Sequence, residues 1–428
     1  MALLKNIALM GTSTAMRLAC GLLTFVVMAR LLGPDQFGLL MLWFSISGLT
    51  CLVANYGFTP YLLRELGANP ASAVKVMSDV LTAKLILSAF IVIIGVGSFL
   101  FLPVSTGYLF VVLLLAQLAD SMTEFFNVGY RATNRYGSET QLATVSAVMQ
   151  LVLVSSACFW LAKPLMAAAA FMVARLIVLM ITWRSQLRYF SQLSISPWRD
   201  GWQKIKRTHA FASDFALQSL FGQIDSLVLN HFLGPASVGV YQAGMRIFNG
   251  GAQAASVLAN VFLPRAAQAR AEQAQFAKES TTIQQVFIAC GFVFACFLTL
   301  ASKPLTHYLF GSEFVALAGL LPWFGALFLV RFIASSWGII LTSVGEQLYR
   351  AKINACQWAL VLIVGSVLVP LFKEPGWLIS VILGNVFLIV TYYMKAVTKI
   401  GARMSQFWQP IAALLLFAPI LAYELAYF

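Results

Sequence analysis

Thirteen runs of about twenty or more mostly apolar residues follow one another along the chain. They lie near 7–32, 38–60, 77–102, 108–130, 138–162, 164–186, 209–233, 237–263, 283–302, 315–343, 351–372, 376–398 and 407–428. A bilayer core about 30 Å thick takes about 20 residues of helix. Backbone in lipid must satisfy its polar groups internally, so runs of this length are read as helices. They are too long for the strands of a membrane barrel, and they do not alternate. The expectation is an all-α polytopic membrane protein. Composition agrees: 60% of residues are hydrophobic and 10% charged, against about 25% charged in a soluble domain. Lys5 followed by an apolar stretch has the outline of a signal peptide. The run is too long for one and Arg17 interrupts it, so it reads as a first membrane helix that is retained.

Basic residues in the connections set the expected orientation. The N-terminal tail and the loops after even-numbered runs carry nineteen Lys and Arg, and the loops after odd-numbered runs carry only Lys163, Lys303 and Lys373. This asymmetry places the N-terminus and the even loops in the cytoplasm and, with thirteen spans, the C-terminus outside. It also accounts for most of the net charge of +13, so no nucleic-acid partner is needed. The longest loop, near 187–208 ("RDGWQKIKRTH"), reads as a basic tether close to anionic lipid headgroups.

The stretch "ARLLGPDQFGLL" (29–40) is echoed by "NHFLGPASVGVY" (230–241): Leu32, Gly33, Pro34 and Gly38 recur as Leu233, Gly234, Pro235 and Gly239. In each copy Gly-Pro stops one apolar run and a very short connection starts the next. Six runs separate the copies, so the halves share one orientation, as in a parallel repeat. The expected organisation is a six-helix bundle at 1–187, a basic cytoplasmic linker at 188–208, a second six-helix bundle at 209–400 and an extra C-terminal helix at 401–428. Two parallel bundles around a central cavity are a transporter plan, with the substrate path between them.

Charged side chains inside membrane helices usually face a cavity or a partner. Arg30 and Lys84 lie near run ends, where snorkelling explains them. Arg17, Arg175, Arg246 and Arg331 lie deeper. In run 8, Gln242, Arg246, Asn249, Gln253, Ser256 and Asn260 are spaced 4, 3, 4, 3 and 4, one continuous helix face. Run 4 has Gln117, Asp120, Glu124, Asn127 and Arg131 on one face, and run 7 offers Asp214, Gln218 and Asp225. Such stripes serve either as glue between helices or as the lining of a watered cavity, and long stripes with charges favour the cavity. Planar guanidinium groups suit an anion, unless Asp120, Glu124 and Asp225 neutralise Arg17, Arg246 or Arg331. The six cysteines fall inside apolar runs, with no disulfide framework or metal spacing, and the three histidines are scattered. No metal, no cofactor and no enzymatic activity is expected, and the G-x-x-x-x-G-K-[ST] phosphate loop is absent.

These residues also carry a resemblance. "ARLLGPDQFGLL", "NYGFTPYLLREL" (55–66), "YRATNRYG" (130–137) and "QIDSLVLNHFLGPASVGVYQAGMRIF" (223–248) resemble segments of the polysaccharide flippases of the multidrug/oligosaccharidyl-lipid/polysaccharide exporter superfamily, the O-antigen and capsule repeat-unit translocases. The last stretch, with Asp225, Gly234, Gly239, Tyr241, Ala243 and Arg246, is the most specific. The resemblance implies a bacterial inner membrane, alternating access, and an undecaprenyl-diphosphate-linked oligosaccharide as the partner molecule, with other polysaccharide-assembly proteins as further partners. It implies that Arg17, Arg246, Arg331 and Arg175 hold the diphosphate. Gln117, Asn127, Gln218, Gln242, Asn249 and Gln253 would line the sugar path, and Asp225, Asp120 or Glu124 would bind a coupling ion. Members have twelve or fourteen helices, so the thirteenth run is a departure. Alternative readings are a multidrug cation antiporter of the same superfamily, which should have an acidic cavity, and a lipid II-type flippase. A polysaccharide polymerase or ligase is disfavoured because no large outer loop exists.

Overall fold

The computed structural model describes residues 2–68, 72–132, 135–187, 193–220, 222–270, 272–400 and 404–426. Within some of these helices, including 2–15, 210, 211, 213, 214, 217 and 218, the side chains lie outside the described residues. No strand occurs among the described residues. Each of the thirteen apolar runs is helical, and nine stretches are long and apolar enough to cross a membrane. Two of the nine, Met16–Leu66 and Gln347–Lys399, have 51 and 53 residues and hold two runs each. The protein is an all-α polytopic membrane protein.

The chain divides into two compact units, Met1–Asn230 and His231–Phe428. Unit 1 begins with α1 (Ala2–Asn55), in which two helices meet at Gly33. Then come α2 (Phe58–Ala68), α3 (Ala73–Gly97), α4 (Val104–Ala132), α5 (Tyr136–Trp160), α6 (Pro164–Leu187) and α7 (Trp198–Arg207). The last pieces are α8 (His209–Leu220) and α9 (Ile224–Leu233), whose final three residues belong to unit 2. The expected linker and bundle boundary fall at 188–208, whereas the division by packing falls later, because α8 lies against α1, α2 and α7.

Run 7 was expected as one helix over 209–233, and it is two. The helix stops at Leu220, and a turn at Gly222 and Gln223 follows, with the Gln223 N–H donating to Leu220 O at 3.1 Å. Polar residues cluster at this break, in the sequence "QSLFGQIDS" (218–226).

Unit 1 has two buried apolar clusters. One joins Cys51 and Ala54 of α1 to Ile91 of α3 and Phe110, Leu114 and Leu118 of α4. The other gathers Phe58, Tyr61, Leu62 and Leu66 of α2 with Met77, Val80, Ala83 and Leu87 of α3, Phe125, Phe126 and Val128 of α4, and Ile205 of α7. Burying Ile205 contributes about 1.5–3 kcal/mol to holding α7 in place.

Unit 2 contains α10 (Pro235–Ala269), α11 (Gln273–Leu300), the single turn α12 (Ser302–Leu305), α13 (Val315–Ser343), α14 (Gln347–Ile400) and α15 (Met404–Ala426). α13 is the central helix. Phe324, Phe328 and Phe332 recur on one of its faces at intervals of four residues and meet Phe248 of α10 and Phe287 and Phe294 of α11. Close approach needs glycine here: a Cβ on Gly244 would lie 2.3 Å from the Phe324 ring, and one on Gly251 would lie 2.4 Å from Phe294. α15 is a complete 23-residue helix packed on α11. Gln406 Nε2 donates to Thr281 Oγ1 at 3.1 Å, and the Phe417 and Phe292 rings lie 6.5 Å apart.

The repeated turn is repeated in backbone as well as in letters. Gly33 has φ 72°, ψ 169°, and Gly234 has φ 88°, ψ 179°, a region open essentially to glycine alone. A third copy occurs at Gly311, with φ 86°, ψ −176°, in the sequence "YLFGSEF".

Candidate functional site

The break in run 7 brings three helices of unit 1 together through polar side chains. A Cβ on Gly48 of α1 would lie 3.6 Å from Gln223 Nε2, at the break, and 3.8 Å from Gln117 Nε2 of α4. Without a side chain, Gly48 lets two amides approach one helix surface. A turn on either side, Ser45 Oγ donates to Ser226 Oγ at 3.1 Å, and Asp225, beside it on α9, is buried. Interrupted membrane helices recur at transporter binding sites because the break exposes backbone and polar groups at depth. Gln223 was not among the expected site residues; the signal for it was the Gly-Gln-Ile-Asp sequence inside an apolar run.

The acidic residues of α4 have partners in the same unit. Asp120 accepts from Arg175 Nη1 of α6 at 2.6 Å, and the Arg175 guanidinium also stands 5.0 Å from the Phe171 ring centre. Glu124 accepts from Arg131 at 2.8 Å, Arg131 also binds Glu139 of α5 at 2.7 Å, and Asn127 donates to Glu124 at 3.5 Å. Each of these charges is therefore held in a salt bridge, which makes Asp120, Glu124 and Arg175 less available to a ligand. Arg17 is half-buried, and its Nε has no hydrogen-bond partner among the described residues. The side chains of Asp214 and Gln218 lie outside the described residues.

In unit 2 the polar stripe of α10 points away from the packed face. Val238, Val240, Tyr241, Ala243, Gly244, Ile247 and Phe248 are buried. Gln242 and Arg246 are half-buried, and Asn249, Gln253, Ser256 and Asn260 are exposed. Arg331 on α13 is exposed. A run of exposed amides with arginines inside a membrane helix is costly against hydrocarbon. Outside the spans, Glu346 in the α13–α14 turn accepts from Lys399 at 3.2 Å and from Lys395 at 3.4 Å. Those two ammonium groups, Lys399 foremost, hold its carboxyl below the usual carboxylate range.

One expectation is corrected. Lys84 does not snorkel: it is 2% exposed. Its Nζ donates to Ser121 Oγ of α4 at 2.5 Å, to Ala54 O of α1 at 3.2 Å and to Asn55 Oδ1 at 3.5 Å. The α1–α2 break at Tyr56 (φ 44°) and Gly57 (φ 64°) leaves the last turn of α1 beside α3, and Lys84 caps it. No group of His, Cys, Asp and Glu suited to a metal ion occurs among the described residues.

Comparison with known proteins gives a consistent picture. A sequence model of the family described as "polysaccharide biosynthesis protein" matches residues 3–270. No curated protein matches the chain in sequence. Among solved structures, the lipid II flippase MurJ in an inward closed conformation aligns with TM-score 0.74 at 12% identity, covering 96% of this chain and 91% of its own. An inward-facing multidrug resistance MATE family transporter of the MOP superfamily aligns with TM-score 0.69 at 15% identity, covering 90% and 94%. A MOP superfamily transporter from Pyrococcus furiosus aligns with TM-score 0.57 at 16% identity, covering 92% and 94%. The chain has the fold these structures share.

Proposed function

Because the chain belongs to the polysaccharide biosynthesis protein family, we propose that it carries a polyprenyl-diphosphate-linked oligosaccharide across the bacterial inner membrane by alternating access. The observation that carries this reading is the polar stripe of α10, half-buried at Gln242 and Arg246 and exposed at Asn249, Gln253, Ser256 and Asn260. It suits a large, hydrated, anionic headgroup better than an apolar cation. Structures of the same fold include a lipid II flippase and multidrug transporters in inward-facing and outward-facing conformations, which is why alternating access is the proposed mode. The N-terminus and the basic loops are placed in the cytoplasm.

In this scheme Arg17, Arg246 and Arg331 bind the diphosphate through charge-assisted hydrogen bonds. Arg175, salt-bridged to Asp120, contributes less directly. Gln117, Asn127, Gln218, Gln242, Asn249 and Gln253, joined by Gln223, offer amides to sugar hydroxyls. The prenyl tail stays in lipid. Asp225, Asp120 or Glu124 binds the coupling ion; Asp225 is buried beside the break in run 7, and Asp120 and Glu124 are salt-bridged to arginines.

The test is surface polysaccharide in a strain lacking the chromosomal copy, with membrane protein level measured alongside. An Arg–phosphate contact worth about 1.5–3 kcal/mol makes a roughly tenfold or larger loss the expectation for Arg17→Gln, Arg246→Gln or Arg331→Gln. The matching Lys variants should keep part of the export, since charge survives without the bidentate fork. Asp120→Asn combined with Arg175→Gln removes a pair without leaving an unpaired charge, and export should largely persist. Normal export in all three single Gln variants would overturn the anion-binding role.

A further inference from the structure

The helix α7 does more than connect. It is docked on α3 with one side fixed and another side unused. A Cβ on Gly201 would lie 2.9 Å from Thr82 Cγ2 and 3.0 Å from the Ala83 nitrogen, so helix and helix touch at backbone distance. Lys204 lies 3.7 Å from Asp79 and donates to Tyr61 OH at 3.3 Å. Just before the helix, the Ser196 N–H donates to Thr82 Oγ1 at 2.8 Å, and Ser196 Oγ donates to Asp79 Oδ1 at 2.9 Å. With Ile205 buried, these contacts fix the rotation of α7 about its axis.

That rotation exposes a particular edge. With about 100° between successive residues, Trp198, Trp202, Lys206 and Arg199 fall within an arc of about 100° beside the docked face. Trp198 and Trp202 are 66% and 46% exposed, and Arg199 and Lys206 are exposed. The edge is aromatic next to the docked face and basic beyond it.

The height of this edge relative to the bilayer follows from α3. The membrane stretch containing it runs over Ala73–Leu100, 28 residues, or about 42 Å at 1.5 Å per residue. A 30 Å core takes only about 20 of them. Leu100 and Phe101 are among the most exposed apolar side chains, as at the far end of a span in lipid. Counted back from Leu100, the core ends near residue 81, the level at which Gly201 meets Thr82 and Ala83. Tryptophan is enriched at that depth, and basic side chains there reach lipid phosphates.

We propose that the Trp198–Trp202 edge of α7, with Arg199 and Lys206, is a docking surface for anionic phospholipid headgroups of the leaflet on that side. The tryptophans lie at the boundary between hydrocarbon and headgroup, and the two basic residues bind the headgroup charge. Lys204 takes no part, being held by Asp79. This site is separate from the proposed translocation residues and stands whether or not the substrate assignment does.

The test uses the full chain in nanodiscs of phosphatidylcholine alone or mixed with phosphatidylglycerol, reading amide hydrogen exchange of residues 198–207. Exchange is expected to be slower in the anionic discs. Arg199→Gln with Lys206→Gln should abolish that difference, since each neutralised basic side chain weakens attachment roughly fivefold. Exchange in α3 should not change, because Gly201, Lys204 and Ile205 are intact. Trp202→Ala should raise exchange in both kinds of disc. Equal exchange in the two discs overturns the proposal, as does a difference that persists in the double variant. Protection produced in phosphatidylcholine discs by added inorganic phosphate would also overturn it, assigning the edge to free anions instead of lipid.

Discussion

A lysine ammonium has three N–H donors, and Lys84 directs them at three acceptors on two other helices, Ala54 O, Asn55 Oδ1 and Ser121 Oγ. Ala54 lies in the last turn of α1, where carbonyls run out of helical partners and a positive charge is favoured. Lys84→Met keeps an unbranched side chain, one atom shorter, and removes every donor. The expected cost is about 1.5–3 kcal/mol, the value of a hydrogen bond to a charged group. It is read as a lowered melting temperature of the purified protein, and Lys84→Gln, with one amide donor left, should lose less. An unchanged melting temperature for Lys84→Met would return Lys84 to the status of a snorkelling side chain. From the sequence it looked like one, because its distance from the run end was visible and the chain reversal at Tyr56 and Gly57 was not. The acids of α4 show the same limit. Their spacing put Asp120 and Glu124 on one helix face, as found, but the partners Arg175 and Arg131 depend on how α4 meets α6 and on where α4 ends.

Short connections were the most legible elements. Leu-Gly-Pro occurs twice in the sequence, and both glycines adopt the same positive-φ conformation. The third turn, at Gly311, escaped notice because Ser312 stands where the others have proline. There the backbone conformation recurs and the letters do not. Two changes separate conformation from crowding. A Cβ at Gly97 and a Cβ at Gly234 would both meet open space within 4 Å, yet Gly97 is helical at φ −61° and Gly234 is at φ 88°. Gly97→Ala should leave stability unchanged or raise it slightly, by the helix propensity of alanine. Gly234→Ala should cost about 1–3 kcal/mol in backbone strain. Thermal unfolding of both variants beside the parent measures the contrast. Equal effects would mean that the turn tolerates a side chain. The break in run 7 and the helix α7 were less legible. The first is marked only by the polar cluster around Gly222 and Gln223, which also reads as a polar helix face, and the second has a charged face that reads as loop until Gly201 and Ile205 are seen to be buried.

At the scale of the whole molecule, hydropathy located helix in every run, because lipid permits no other structure for long apolar runs. Among the described residues, the nine stretches suited to crossing a membrane hold runs 1–6 and 9–13, while run 7 is broken and run 8 is too polar to join them. Packing groups α8 with the first unit, a division different in kind from the repeat, whose second copy is expected to start before α8. The orientation rests on loop charge, and the helix order makes it a strict test. The turns at Gly33, Gly234 and Gly311 follow runs 1, 7 and 9, so an odd number of crossings separates each from the N-terminus. α7 follows run 6 and must lie on the opposite side. In a variant with the six native cysteines replaced, single cysteines at Gln36, Ser237 and Ser312 probe the three turns, and one at Gln203, exposed on α7, probes the other face. An impermeant thiol reagent added to intact cells should label the first three and leave the fourth unreacted until the membrane is opened. The reverse pattern would keep the thirteen-helix count and overturn the orientation, and with it the placement of α7 against the inner leaflet. Labelling of one or two of the three turns, with the remainder protected, could not be produced by inversion. It would mean that one of the runs between them fails to cross, with α8–α9 and α10 the first to suspect, because one is broken and the other is the most polar.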